Sequence, residues 1–124
     1  MHYVKFLLGS MLMLGVLASS AQAALPLDRL KLPAGFSIDV YAENVPNARS
    51  LALGKNGTVF VGNRDGSEVY ALVDKDGDQK ADAVMAVASD LSAPNGVAFR
   101  DGALYVAEIS RILRYDNIEA NLAT

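Results

Sequence analysis

Short runs in which apolar and polar residues alternate, separated by turn residues, fill most of the chain after residue 35. The clearest set is Val97–Phe99, Ala103–Ala107 and Arg111–Tyr115. Asp101-Gly102 separates the first two runs, and this pair favours a type I′ hairpin because both central positions of that turn need positive φ. A second turn around Ile109-Ser110 joins the last two runs. This stretch therefore predicts three antiparallel strands.

The same pattern occurs earlier in the chain. Ser50–Leu53 aligns with Gly96–Phe99 at an offset of 46 residues, and Gly57–Val61 aligns with Gly102–Val106 at an offset of 45. An antiparallel unit that recurs every 40 to 50 residues or so is typical of β-propeller blades.

Other alternating runs complete the predicted strands, and only a short turn is predicted at Ile118–Leu122. The offset of 46 also places Ile38–Ala42 on Val84–Ala88, so the N-terminal run corresponds to the outer strand of a blade. The remaining predicted strands are Phe36–Ala42, Leu51–Gly54, Thr58–Gly62, Val69–Val73 and Ala83–Ala88.

The predicted fold class is all-β: an incomplete β-propeller of about two four-stranded antiparallel blades, plus an N-terminal strand that would complete the last blade. Propellers typically close with about four to eight blades. Residues 24–124 are therefore expected to be the N-terminal blades of a longer, truncated propeller domain that stops at Thr124.

Residues 1–23 have the composition of a signal peptide. Lys5 supplies the positive charge, Phe6–Ala18 is an apolar run of 13 residues, and Ala21-Gln22-Ala23 is a cleavage signal. The run is short for a membrane span, which needs roughly 20 residues. The prediction is a periplasmic or secreted protein with no membrane association after cleavage; an uncleaved anchor is the alternative.

Charge and cysteine content narrow the function classes. After the signal peptide, 10 basic and 14 acidic side chains remain, so there is no basic footprint for nucleic acid. The chain has no cysteine, and its one histidine is His2. The predicted mature chain therefore has neither a soft metal site nor an obvious general base near neutral pH. Acid–base chemistry would fall to a carboxylate such as Glu108.

An up-and-down strand order assigns the loops to two ends of the blades. The connections 45–50, 63–67, 91–96 and 108–110 share one end, and the hairpin turns and the Asp-rich loop 74–82 lie at the other. In enzymatic propellers the ligand usually lies over the end formed by the first group of connections, 45–50, 63–67, 91–96 and 108–110. The polar candidates there are Arg49, Arg64, Asn95 and Glu108. The alternative is that these residues satisfy loop backbone groups.

The Asp-rich loop has carboxylates at alternating positions. Alternate spacing in a tight loop brings side chains toward one centre, where a hard cation with oxygen ligands would relieve their repulsion. A calcium ion is therefore predicted as a brace for this hairpin, and a solvated turn is the alternative. The candidate metal ligands are Asp74, Asp76, Asp78 and Asp82.

The two runs LPAGFSIDVYAENVPNARSLALGKNGTVFVGNRDGSEVYALVDKDGD and LSAPNGVAFRDGALYVAEISRILRYDN closely resemble the N-terminal portion of the sorbosone dehydrogenase family. These are exported quinoprotein sugar dehydrogenases related to soluble glucose dehydrogenase. The resemblance implies a six-bladed propeller that holds pyrroloquinoline quinone and oxidises an aldose or similar sugar, with electrons passed to an external acceptor. The family's catalytic histidine comes from a later blade and has no counterpart here, so this chain alone is expected to be inactive. Arg49 and Arg64 would suit the carboxylates of the quinone.

Two other interpretations stay open. PNGVAF followed by DG and LYVAE is also similar to gluconolactonase-like hydrolases, in which Asn95 and Glu108 would neighbour a divalent metal. Arg49 and Asn63 occupy the equivalent places in the first repeat and do not support that interpretation. The third is a non-catalytic exported propeller that binds protein or glycan.

Overall fold

The computed structural model describes residues 25–122, and the predicted signal peptide lies outside this range. The chain divides after Phe36 into two units. In the first unit, the described residues contain a short 3₁₀ helix, Leu27–Arg29. The second unit contains all the strands and is described below by itself.

Seven antiparallel strands form two sheets, and no α-helix occurs between residues 25 and 122. The first sheet has four strands in the order β1-β2-β3-β4, and the second has three in the order β5-β6-β7. A 3₁₀ helix, Ile118–Asn121, follows the last strand. The strands are β1 Ala48–Leu53, β2 Val59–Asn63, β3 Val69–Val73, β4 Ala83–Ala88, β5 Gly96–Arg100, β6 Ala103–Ala107 and β7 Ile112–Tyr115.

The prediction of an all-β fold with two antiparallel units is confirmed as far as strand content and strand order within each sheet. Each predicted strand from residue 51 onward is present, and the bounds of β3, β4 and β6 agree with the prediction. Asp101 and Gly102 have φ of 50° and 81°, as a type I′ turn requires. The second sheet has three strands among the described residues, whereas a complete blade of the predicted kind has four.

The predicted strand Phe36–Ala42 is wrong. None of its residues belongs to a strand in the structure. An alternating pattern becomes a strand only beside a partner that takes its hydrogen bonds, and the backbone of this run receives one such bond, from the Ala81 N–H to the Tyr41 carbonyl at 2.8 Å. The Asp39 carboxylate accepts the Val40 N–H instead, at 2.8 Å.

The two sheets pack face to face around a shared hydrophobic core. Phe60 of β2 and Phe99 of β5 stack with ring centroids 5.9 Å apart and an interplanar angle of 10°. Alternation within each strand sends every second side chain into this core. The fully or nearly buried members of the core are Phe60, Val69, Ala71, Leu91, Leu104, Val106 and Ile118.

A smaller apolar cluster lies on the opposite face of the first sheet. Val61, Tyr70 and Leu72 are buried there. Tyr41, Ala42 and Val45 pack against them, so the N-terminal segment covers part of this face although it forms no strand.

Candidate functional site

Hydrogen bonds tie together the loops at one end of the two sheets, which we name the loop end. The loop end comprises residues 45–50, 63–68, 91–96 and 108–111. The Asn63 N–H donates to the Pro94 carbonyl at 3.0 Å, the Leu91 N–H to Ser67 at 3.0 Å, and the Ile109 N–H to Ser92 at 3.2 Å. The predicted grouping of these loops is therefore confirmed.

The opposite, hairpin end contains Lys55–Gly57, Arg100–Gly102 and the Asp-rich loop between β3 and β4. The C-terminal 3₁₀ helix joins the two hairpins at this end. The Glu119 carboxylate accepts the Asn56 N–H at 3.0 Å, and the Ile118 N–H donates to the Gly102 carbonyl at 3.2 Å.

A β-bulge distorts β1 at the loop end. Ala48 pairs with Asn63, and the next pair is Leu51 with Val61, so Arg49 and Ser50 together oppose Gly62. A bulge of this kind bends its strand and re-aims its side chains, and bulges are frequent next to active sites. The Ser50 hydroxyl donates to Asn95 Oδ1 at 3.3 Å and thereby links β1 to the loop that precedes β5.

Arg49 and Arg64 lie at neighbouring positions of the loop end because Ala48 and Asn63, the residues before each of them, are paired in the sheet. Both arginines are exposed. Within residues 25–122 neither forms an ion pair, whereas Arg100, Arg111 and Arg114 each do. Two guanidinium groups without carboxylate partners are therefore available to an anionic ligand at this place.

Asn63 braces the loop that leads into β1. Its side chain is buried, with 2% of the residue exposed. Its Oδ1 accepts the Gly66 N–H at 2.7 Å, and its Nδ2 donates to the Pro46 carbonyl at 3.3 Å. One side chain thus fixes both the turn after β2 and the loop before β1.

Glu108 braces the corresponding loop of the second sheet. Its side chain is 2% exposed, and it accepts the Ser92 N–H at 2.6 Å and the Nε–H of Arg111. The hydrogen bond from Arg111, and then that from Ser92, lowers the pKa of the Glu108 carboxyl; the same pairing raises the pKa of Arg111. This geometry favours the loop-bracing interpretation of Glu108.

Asn95 is half-buried between the two sheets. Its Oδ1 accepts the hydrogen bond from the Ser50 hydroxyl, and among residues 25–122 its Nδ2 has no hydrogen-bond partner. All four predicted ligand-binding candidates thus lie at the loop end, but only Arg49, Arg64 and the amide nitrogen of Asn95 are free to contact a ligand.

In the Asp-rich loop, the structure brings three of the four predicted ligands together. Carboxylate oxygens of Asp74, Asp76 and Asp78 lie within 4.8 Å of one another. Asp82 is not in this group, and its Oδ2 accepts the Lys75 N–H at 2.6 Å. Asp74 accepts the N–H groups of Gly77 and Gln79 at 2.7 and 3.0 Å, as in a loop closed by its own side chains.

Tyr41 lies beside this loop and responds to its charge. Burial, and after it the carboxylates of Asp74 and Asp82, raises the pKa of the Tyr41 hydroxyl. An open groove of about 560 Å³ is lined by residues 39–44, residues 80–82 and Val84. Its polar lining includes Asp39 and Lys80, which form an exposed ion pair of 3.7 Å.

Two contacts at this end were not predicted from the sequence: the hydrogen bond of Ser50 to Asn95 and the close approach of Gly62 to the Pro94–Asn95 backbone. A Cβ atom on Gly62 would lie 2.8 Å from the Pro94 carbonyl oxygen and closer still to that of Asn95. The signal for this contact was present, since a glycine inside a strand pattern often marks a bulge or a close backbone approach. The bulge of β1 was not predicted, although two consecutive polar residues, Arg49 and Ser50, interrupt the alternation at this point.

No helix between residues 25 and 122 has the length and apolar character needed to cross a membrane. No family model, curated protein or solved structure matches this chain.

Proposed function

We propose that residues 37–122 are two successive blades of a β-propeller in an exported quinoprotein sugar dehydrogenase, and that their loop end binds the carboxylates of pyrroloquinoline quinone. The internal repeat, the face-to-face packing of the two sheets and the resemblance of the sequence support this proposal. The observation that carries the ligand-binding part is the pair of exposed guanidinium groups of Arg49 and Arg64 on adjacent strand ends.

The donors at the loop end fit the quinone's chemistry. Guanidinium groups recognise carboxylates through charge-assisted hydrogen bonds, and neither Arg49 nor Arg64 forms an ion pair within residues 25–122. The free Nδ2 of Asn95 adds a neutral donor beside them. Asn63 and Glu108 hold the surrounding loops in place. When bound, such a quinone supplies two-electron oxidising capacity toward a sugar, with an external acceptor as the final electron sink.

In this proposal the residues after position 23 bind the quinone but do not complete the oxidation of a sugar. The one histidine is His2 and the chain has no cysteine, so a general base with a pKa near neutrality is missing from this stretch. We therefore expect the chain to bind the quinone without oxidising a sugar on its own. A non-catalytic binding module is the second candidate function, favoured by this same absence.

Glu108 argues against the lactonase-like alternative. Its carboxylate is occupied by the Arg111 guanidinium and the Ser92 N–H. A divalent metal would have to displace a cation from that carboxylate.

We propose further that Asp74, Asp76 and Asp78 bind calcium as a structural brace at the hairpin end. Their oxygen ligands suit a hard cation, which takes about six to eight oxygen atoms. The site lies at the opposite end from Arg49 and Arg64, so the ion would stabilise the β3–β4 hairpin and take no part in quinone binding.

The experiment is a calorimetric titration of the purified chain with pyrroloquinoline quinone. We expect saturable binding that weakens roughly 10-fold or more in Arg49→Gln and in Arg64→Gln, because a hydrogen bond to a charged group contributes about 1.5–3 kcal/mol. Arg100→Gln is the matched control, since Arg100 is an exposed arginine of the hairpin end.

Equal affinities of all three variants would refute the assignment of the loop end, and no binding at about millimolar quinone would refute the function. A parallel dye-reduction assay with aldoses tests whether the chain lacks the base needed for sugar oxidation. Dye reduction by the chain alone would contradict the expectation that it binds the quinone without oxidising a sugar.

A further inference from the structure

Two asparagines of the chain are followed directly by glycine. Asn56-Gly57 lies in the turn between β1 and β2, and Asn95-Gly96 lies where β5 begins. This dipeptide is chemically labile in water, because the backbone nitrogen of the glycine can attack the asparagine side chain. Glycine has no side chain that would obstruct the ring formed in that step. The two pairs therefore have a similar intrinsic reactivity, and the structure around each pair decides how fast it reacts.

Asn56 lies in an exposed turn in which neither reacting group is firmly held. Asn56 and Gly57 are both exposed, and the Asn56 side chain has no hydrogen-bond partner among residues 25–122. The Gly57 N–H, which must be released before its nitrogen attacks, donates a long hydrogen bond to the Gly54 carbonyl at 3.3 Å. Gly57 has φ of 91°, a conformation that glycine adopts without strain. Both reacting groups are therefore accessible to water.

Asn95, by contrast, is held on both sides of the reacting bond. It is half-buried, and its Oδ1 accepts the Ser50 hydroxyl at 3.3 Å. Gly96 belongs to β5 and pairs with Ala107 of β6, and a Cβ on Gly96 would lie 3.1 Å from the Ala107 Cβ. Ring closure here requires the loop before β5 and the first residue of the strand to open together. The structure therefore protects this second asparagine-glycine pair.

The backbone of Asn56 also holds the C-terminal 3₁₀ helix. Its N–H donates to both oxygens of the Glu119 carboxylate, at 3.0 and 3.2 Å. A Cβ on Gly54 would lie 2.7 Å from Glu119 Cδ, so this carboxylate lies directly against the turn. We name the contact of Glu119 with the turn the Glu119 latch. A second carboxylate on residue 56 would repel the first, because two like charges at contact distance oppose each other even near a surface.

We propose that Asn56 is a site of spontaneous deamidation, and that the modification weakens the Glu119 latch. The Gly57 nitrogen loses its proton to hydroxide and forms a bond to Asn56 Cγ. The Cγ–Nδ2 bond then breaks, and the side-chain nitrogen leaves as ammonia. Water opens the resulting succinimide at either carbonyl, which gives an aspartate or an isoaspartate at position 56. Nothing is oxidised or reduced, and water is the co-reactant.

Both products act on the latch. Each adds a carboxylate to the residue whose N–H holds Glu119, and the isoaspartate also lengthens the backbone of the turn by one carbon. The site lies at the hairpin end and not on a sheet face. Blades of a propeller pack through their sheet faces, so packing of further blades against these two sheets does not cover it.

The first test compares the rates of amide loss at the two pairs. The purified chain is incubated at mildly alkaline pH, and a glutamate-specific protease then separates residues 44–68 from residues 69–108 for tandem mass spectrometry. We expect Asn56 to lose its amide roughly 10-fold or more faster than Asn95, because Asn95 must first break a hydrogen bond and open a strand end. In guanidinium chloride, where the chain is unfolded, the two rates should become similar.

Equal rates in the folded chain would overturn the proposed site. A difference that persists in the unfolded chain would also overturn it, because the selectivity would then not come from the structure. Asn56→Ala is the control for assignment, since it removes this site and should leave amide loss at Asn95 unchanged.

The second test measures the effect of the product on the latch by thermal denaturation, with circular dichroism to verify that each variant folds. Asn56→Asp supplies one of the two products directly, whereas Asn56→Ala keeps the N–H without adding charge. We expect Asn56→Asp to lower Tm by about 2–5 °C, the effect of a like-charge contact at a surface, and Asn56→Ala to change it little.

In a Glu119→Gln background the effect of Asn56→Asp should disappear, since the opposing charge is gone. An unchanged Tm for Asn56→Asp, or an equal loss with and without the Glu119 carboxylate, would overturn the proposed effect on the latch. Both tests are made without quinone, so their outcomes are independent of the proposed function.

Discussion

The contact between Gly62 and the Pro94–Asn95 backbone can be tested by adding a single methyl group. A Cβ on Gly62 would lie 2.8 Å from the Pro94 carbonyl oxygen and 3.0 Å from the Asn95 carbonyl carbon. Both neighbours are backbone atoms, so no side-chain rotation can relieve the clash. Gly62→Ala should therefore separate β2 from the loop before β5, where the Asn63 N–H donates to the Pro94 carbonyl at 3.0 Å.

The magnitude follows from two terms. Overpacking costs typically about 1–3 kcal/mol, and a clash with backbone on both sides lies at the upper end of that range. Loss of the Asn63–Pro94 hydrogen bond adds about 1 kcal/mol. We expect Gly62→Ala to lower the free energy of unfolding by about 3–4 kcal/mol. For a domain of roughly 100 residues this lowers Tm by about 12 °C or more.

The assay is urea denaturation followed by circular dichroism, with Gly57→Ala as the matched control. Gly57 has φ of 91° and open space around its Cβ position, so its alanine variant bears only backbone strain, about 1–2 kcal/mol. At a site whose backbone conformation and free space both suit alanine, replacing Gly by Ala stabilises a protein by about 0.4–1 kcal/mol, so a large loss of stability in Gly62→Ala would indicate the steric clash. A Gly62→Ala variant as stable as the unmodified chain would show that the two sheets do not meet at this point.

Three further predictions concern the braces and the Asp-rich loop. Asn63→Ala should destabilise the chain by about 2–3 kcal/mol in urea denaturation because it leaves two loop hydrogen bonds unmade, whereas Asn56→Ala, with an exposed side chain, should change little. Glu108→Gln should be less stable than the unmodified chain above pH 4.5, because the folded-state pKa of Glu108 is lowered. In acid denaturation this difference in stability should vanish as pH falls through the folded-state pKa. A difference that does not depend on pH would contradict the charge argument. Calcium titration by calorimetry should give one site, lost in Asp76→Asn and kept in Asp101→Asn, and a flat titration would end the calcium hypothesis.

The strand order could be predicted because turns and alternation are local signals. Asp101-Gly102 requires a particular hairpin, and β6 follows from it residue by residue. Phe36–Ala42 has an equally good alternating pattern but forms no strand. Strand formation depends on a partner edge, and a partner edge is not a property of the run itself.

The loop end could be predicted in part. The repeat offset and the antiparallel order were sufficient to place Arg49, Arg64, Asn95 and Glu108 together. The sequence could not predict which of these side chains are free to bind a ligand. That depends on the hydrogen bonds that the Ser92 N–H and the Arg111 guanidinium donate to Glu108. Asp82 illustrates the same limit: its spacing suits a metal ligand, yet its carboxylate closes the loop onto Lys75.

The two braces explain why free positive charge is concentrated in the first sheet. Asn63 is the last residue of β2, and its repeat equivalent Glu108 directly follows β6. Both side chains hold the loop that leads into the first strand of their sheet. Glu108 is charged and draws in Arg111, so the second brace is electrically balanced. Asn63 is neutral and satisfies both of its groups with backbone, so it does not neutralise Arg49 or Arg64 beside it. An anion that approaches the loop end therefore encounters unbalanced cations only at the first sheet. For that reason the quinone titration should respond to Arg49 and Arg64, and Arg111 should matter through the loop it braces.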